Sequence, residues 1–142
     1  MKILLAVDGS KHSLDAVEFL IGHADWYREK PSVELLTVHL PLPRLPRMNL
    51  VVGKNQIERY YREEGEASLA GARKRLDAAG IRYHASVLVG QIAETIVAHA
   101  KKSRCDLICV GTHGRSVAGN MLLGSVATKV LHIARIPVLL AR

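Results

Sequence analysis

At 142 residues the chain is long enough for one domain, spanning 1–142, with a sizeable core. Apolar residues make up 49%, which argues against disorder, and with one Phe, one Trp and four Tyr the core must be largely aliphatic. The formal charge of +7 suits an anionic partner or a solvated basic surface, but no run of five basic residues and no aromatic-basic interleaving points to nucleic acid.

Met1-Lys2 leads straight into an aliphatic run without a cleavable signal, and no apolar stretch approaches the roughly 18 residues that cross a bilayer. A cytoplasmic location without membrane partners is the default expectation. Lys2 to Val7 reads as a strand buried on both faces. Asp8-Gly9-Ser10 ends it, with Ser10 as a helix cap. Ser13, Val17, Leu20, Ile21 and Ala24 then share one helical face. Lys30-Pro31-Ser32 breaks that pattern, and Val33 to Leu40 reads as a second strand. A parallel strand-helix-strand unit of this kind crosses over right-handedly. Asp8 stands at the carboxyl end of its first strand, the edge where open α/β sheets bind ligands, and reads either as a turn residue or as a ligand contact.

Pro41 to Arg47 holds three prolines and must be a loop leaving that same edge. Arg44, Arg47 and Lys54 either reach an anion there or face water. Gln56 to Ala79 reads as a helix with a stripe of Leu69, Ala72, Leu76 and Ala79, stopped by Gly80. Gly65 and Gly71 weaken it, each by about 1 kcal/mol against alanine. Tyr60 and Tyr61 are expected to pack helix against sheet, with one hydroxyl at the surface. Arg82 to Val89 forms a third strand. Gly90 opens a helix with Ala93, Ile96, Val97 and Ala100 on one face, and Glu94 and His99 read as surface residues. Cys105 and Cys109 do not have a zinc spacing and read as packed, reduced thiols.

Leu107 to Val110 is a fourth buried strand, ended by Gly111-Thr112-His113-Gly114-Arg115. Gly124-Ser125 then opens a helix to about Ala134 that is expected to bury Ala127, Val130, Leu131 and Ala134. Ile136 to Ala141 is a last strand, placed at an edge by Pro137, which cannot donate to a ladder. Five strands thus alternate with four main helices, giving an open, mainly parallel α/β sheet covered on both faces. The glycines let main-chain N–H groups approach a ligand, and the Ser125 hydroxyl sits at the positive end of a helix. This is either a phosphate cradle or a purely structural loop.

Two residues separate Gly111 from Gly114, nine separate Gly114 from Gly124, and Ser125 follows at once. This spacing resembles the G-x2-G-x9-G-(S/T) signature of ATP-binding members of the universal stress protein family. The resemblance extends to Ile3-Leu4-Leu5-Ala6-Val7-Asp8-Gly9-Ser10 and to Val130 through Leu140, and so to nearly the whole chain. It implies a Rossmann-like, adenine nucleotide alpha hydrolase-like sheet in the order 3-2-1-4-5, which would bring Asp8 and Gly111 to one crevice. It further implies that ATP, with Mg²⁺, lies there. Asp8 would flank the adenosine, the Val38 backbone would meet the adenine edge, and Ala6 and Val7 would add apolar lining. Main-chain amides around Gly111, Thr112, His113, Gly114, Gly124 and Ser125 would hold the phosphates, with Arg115 offering charge. Val126 stands where many ATP-binding members carry a further hydroxyl, so one phosphate contact would be missing. The family also implies a homodimer through the last strand, at Pro137, Val138, Leu139 and Leu140.

Gly119 to Ser125 has the spacing of a Walker A loop but lacks its lysine and an immediately preceding strand. No G-x-S-x-G elbow, H-E-x-x-H pair or paired-carboxylate motif is present. His113 has no evident nucleophile or orienting carboxylate in the sequence. Three readings follow: a nucleotide-binding stress-response switch acting through dimer or partner contacts, a dimeric stress protein that binds no nucleotide, or a slow ATPase.

Overall fold

The computed structural model describes residues 1–43, 53–114 and 123–141. Its strands are β1 (Lys2–Ala6), β2 (Ser32–His39), β3 (Tyr83–Val89), β4 (Leu107–Gly111) and β5 (Val138–Ala141). The helices are α1 (Lys11–Gly22), α2 (Lys54–Ala78), α3 (Ile92–Lys102) and α4 (Ser125–Ile133), with a short 3-10 turn at Ala24–Trp26. All pairings are parallel and the order is β3-β2-β1-β4-β5, the order implied by the family resemblance. Ala6 stands level with Leu36 on one side and Val110 on the other, so three strands end together.

Strand alternation divides the core in two. Ile3, Leu5, Val33 and Leu35 pack with Val17, Leu20, Leu69 and Leu76 of α1 and α2. Leu4, Leu36 and Ile108 pack with Ala93, Ile96 and Val130 of α3 and α4. Leu131, expected inside, is 42% exposed. With Ala127 and Val130 buried, it lies on the far side of a short helix that needs only a narrow apolar stripe. Tyr61 accepts a hydrogen bond from the Leu42 N–H at 2.6 Å and so pins the exit of β2, while Tyr60 is exposed. β5 begins at Val138, two residues later than expected, and lies at the sheet edge. The Ile108 N–H donates to the Pro137 carbonyl at 2.9 Å and the Thr112 N–H to that of Ala141 at 3.0 Å. Alternate residues of a parallel strand bond to the same neighbour, so Val138 and Leu140 turn their main-chain groups outward.

Gly65 lets α2 lie against β3. An added Cβ would collide with both methyls of Val87. Gly65→Ala should therefore destabilise the fold by about 2 kcal/mol, although alanine is the better helix former. Val87→Ala on that background should recover part of the loss, read from urea midpoints.

At the amino edge, opposite the turns after β1 and β4, Glu34 is nearly buried and carries three basic neighbours. Lys2 Nζ lies 2.7 Å from Oε1, while His84 Nδ1 and His99 Nε2 lie 3.3 and 3.5 Å from Oε2. His99 is thus no surface residue: its side chain is 16% exposed and packed over β2. Burial alone pushes the Glu34 carboxyl up, but hydrogen bonds from Lys2, His84 and His99 outweigh it and hold the carboxyl below its usual range. The Glu34 hydrogen bond raises Lys2 above the usual lysine range. The Glu34 contribution is full above the unfolded carboxylate value near 4.3 and is lost as pH falls through the depressed folded value. The Lys2 contribution is lost only as pH rises through its raised value. Glu34→Gln should accordingly cost about 2 kcal/mol at pH 7 and much less at pH 3, measured by urea unfolding at both pH values.

Candidate functional site

β1 runs into a turn that fixes one carboxylate. The Ser10 N–H donates to Asp8 Oδ1 at 3.0 Å, and the Asp8 N–H donates to Ser13 Oγ at 3.4 Å. Ser10 caps α1 by accepting from the Ser13 N–H at 3.3 Å, and the Ser13 hydroxyl donates to the Ser10 carbonyl at 2.9 Å. Gly9, at φ +79°, closes this turn where an L side chain would be strained, and its missing Cβ would sit 3.2 Å from Ser68 Cα on α2. The second oxygen, Asp8 Oδ2, points across to β4, where a Cβ on Gly114 would stand 2.9 Å from it.

The glycine turn is held just as tightly. A Cβ on Gly111 would come within 2.7 Å of the His12 carbonyl, because the first turn of α1 lies over the end of β4. The Gly124 N–H donates to the Thr112 carbonyl at 2.7 Å, tying the two ends of the β4–α4 connection together. The amides of Thr112 and Gly124 are therefore engaged within the protein. The first hydrogen bond inside α4 runs from the Thr128 N–H to the Gly124 carbonyl at 3.0 Å. The amides of Ser125, Val126 and Ala127 precede it and have no partner within the helix. Gly124, not Ser125, is the residue at the N-cap, and no side chain caps α4. His113 Nδ1 lies 3.1 Å from Thr112 Oγ1, and its ring stands 5.4 Å from that of His12.

Between these two turns lies a cavity of about 320 Å³. Ala6, Val7, Asp8, Val38, Gly111, Thr112, His113, Gly114, Gly124, Ser125 and Val126, all singled out from the sequence, line it together. Arg115, Arg44, Arg47 and the Gly119–Leu122 part of the Walker-like stretch lie outside the described residues. Pro137 to Leu140 lie away from the cavity, on the edge strand.

The sheet plane divides the lining. Towards α3 and α4 it is apolar, with Ala6, Leu36, Val38, Ile92, Ile96 and Val126. Towards α1 and α2 it is polar, with Asp8, Ser13, Thr37, His39 and Ser68. Sequence reading did not place the last four at the site: Ser13 was read only as part of one helical face, and a lone hydroxyl in an aliphatic strand or beside Leu69 on a helix gives no sign of a site by itself.

Charge in the cavity comes from Asp8 and from main-chain dipoles. Cys109 lies in β4 with its thiol pushed up to about 12 by burial, and burial raises Cys105 as well, so neither supplies a thiolate nucleophile. Among the described residues no three His, Cys, Asp or Glu side chains are grouped to hold a metal ion, and no helix is long and apolar enough to cross a membrane.

The universal stress protein family model matches residues 1–142. Universal stress protein MJ0531 of Methanocaldococcus jannaschii is 32% identical over 141 residues, covering 99% of this chain and 81% of that protein. Among solved structures, protein MJ0577, also of M. jannaschii, superposes with a TM-score of 0.81 at 26% identity, covering 99% of this chain and 94% of its own. A universal stress protein in complex with cAMP superposes with a TM-score of 0.65 at 26% identity, covering 100% of this chain and 96% of its own. With the sheet order, the crevice and a match over its whole length in agreement, the chain belongs to the universal stress protein family.

Proposed function

We propose that the crevice binds an adenine nucleotide, ATP with Mg²⁺, and that occupancy acts as a stress-response switch on dimer or partner contacts. The observation that carries this reading is the Gly124–Thr112 tie. It draws the His113 and Gly114 stretch against the start of α4, so the Ser125 and Val126 amides and the positive end of that helix stand at the mouth of the cavity. A polyphosphate suits that mouth. The adenine suits the apolar half, with the Val38 backbone at its edge, and Asp8 flanks the ribose. Asp8 is the one carboxylate among the described lining residues, so Mg²⁺ would be held chiefly by the phosphates, as this ion commonly is. The cAMP bound by a relative of the same fold supports an adenine nucleotide in general. A switch requires ATP to prefer one of two states, and partner contact at the exposed β5 edge would supply the second.

Protein purified under native conditions should release ATP on acid treatment, read by chromatography. AMP or ADP with turnover would indicate an ATPase instead. No nucleotide, with no thermal shift on adding ATP and Mg²⁺, would indicate a protein-contact module. Gly114→Val should abolish retention by driving a side chain into the Asp8 carboxylate, and unchanged retention would defeat the assignment.

The main-chain groups of β5 at Val138 and Leu140, which turn away from β4 and have no strand partner among the described residues, make this edge the proposed dimer seam. Leu140→Pro removes one outward N–H while leaving the bonds to β4 in place. It should shift sedimentation from dimer to monomer with an unchanged circular dichroism spectrum.

A further inference from the structure

The polar half of the cavity is lined by two hydroxyls, each on a nearly buried residue, that no hydrogen bond among the described residues uses. Thr37 is 2% exposed and Ser68 is 6% exposed, yet both line the cavity. They lie on the same side of the sheet. Val33 and Leu35, four and two residues before Thr37, pack with Leu69 and Ala72 of α2, and Ser68 precedes Leu69. The hydrogen bonds of the neighbouring turn engage Asp8, Ser10 and Ser13. None of the side-chain hydrogen bonds among the described residues uses the hydroxyl of Thr37 or of Ser68, and neither oxygen is among the described polar atoms sealed from solvent without a partner, so both open onto the cavity.

A hydroxyl that opens onto the cavity can bond to a ligand group that displaces solvent, whereas a valine or alanine in its place would offer no donor or acceptor. A hydroxyl kept at the ligand edge of a sheet, facing a cavity and without a protein partner, is better explained by a ligand than by the core. The ligand group must itself be neutral and hydrogen-bonding. Asp8 borders this half, and its carboxylate repels an anion while accepting from a hydroxyl. On an adenine nucleotide the groups of that chemistry next to the base are the ribose hydroxyls.

We propose that Thr37 and Ser68, juxtaposed across the polar half of the crevice, read the ribose hydroxyls and make the site selective for ribonucleotides over deoxyribonucleotides. This inference rests on the nucleotide reading above and adds to it a basis for selection. A site that pairs with a substrate hydroxyl rejects the analogue that lacks it, because its own polar groups are then left unmet.

Equilibrium binding of ATP, 2′-deoxyATP and 3′-deoxyATP to the intact chain tests it, with Mg²⁺ present, on the wild type, Ser68→Ala and Thr37→Val. The wild type should bind at least one deoxy analogue about tenfold or more weakly than ATP, the scale of one hydrogen bond. Each variant should weaken ATP towards the level of that analogue while leaving the analogue's own binding nearly unchanged. The unliganded variants should be no less stable than the wild type in thermal unfolding, since each loses a hydroxyl that bonds to no protein group among the described residues. A structural role would instead lower stability and weaken every nucleotide alike. Equal binding of all three nucleotides by the wild type overturns the selectivity while leaving the nucleotide reading intact. Failure of the wild type to bind any of them overturns both.

Discussion

The whole arrangement depends on the reversal of winding between β1 and β4. From β1 the chain travels outward through β2 to β3 with α1 and α2 on one face, then returns past β1 to β4 and β5 with α3 and α4 on the other. Right-handed crossovers demand this exchange of faces whenever the direction of travel reverses. The turns leaving β1 and β4 therefore diverge to opposite sides of the sheet although the strands themselves are neighbours. None of the four described helices fills the gap between them, and the cavity is that gap.

The same reversal explains why the two halves of the cavity differ. The half towards α3 and α4 is walled by strand residues facing an aliphatic core, and Ile92 and Ile96 extend that core to the rim. The half towards α1 and α2 is closed by the hydrogen-bonded turn Asp8-Gly9-Ser10 and by the backbone of α2 at Ser68. One face offers a flat apolar group a place to stack, and the other offers donors and acceptors. An amphiphilic ligand such as a nucleoside matches both at once, which neither a purely anionic nor a purely apolar ligand would do.

The strands, the helices and the turns after β1 and β4 were legible because each rests on local pattern, whereas the meeting of Asp8 with the glycine turn depends on strand order and was expected only from the family resemblance. Aliphatic runs, a capping serine and glycine stops all act within a few residues. The Glu34 network was not legible, because it is assembled by register. Glu34 and His84 face each other only once β2 and β3 are paired, and His99 joins only through the docking of α3. Read alone, His99 is a polar residue on an amphipathic helix. Thr37 and Ser68 were missed for the same reason: a hydroxyl in a strand and another in a helix carry no meaning until the two elements meet at one cavity. The Leu131 error has the opposite origin, since apolar periodicity overstates the width of the buried stripe on a nine-residue helix.

The glycine spacing itself carries a lesson about what such a signature measures. Gly111 is required by the His12 carbonyl of α1, 2.7 Å from where its Cβ would stand, and Gly124 is crowded by the Thr112 carbonyl and His113 Cα at 3.3 Å, all of them protein atoms. A chain that never meets a nucleotide would still need glycine at the first position and favour it at the second to close this turn over this helix. The spacing is therefore evidence for the fold first. What bears on the ligand is which amides the closed turn leaves over. Thr112 and Gly124 give theirs to Ala141 and Thr112, whereas Ser125, Val126 and Ala127 stand before the first bond of α4. The absence of a hydroxyl on Val126 matters less on this account, because what that residue would offer the proposed anion is its main-chain N–H. A glycine motif marks where a backbone has been brought close, and the hydrogen-bond partners of that backbone decide whether an anion can be gripped there.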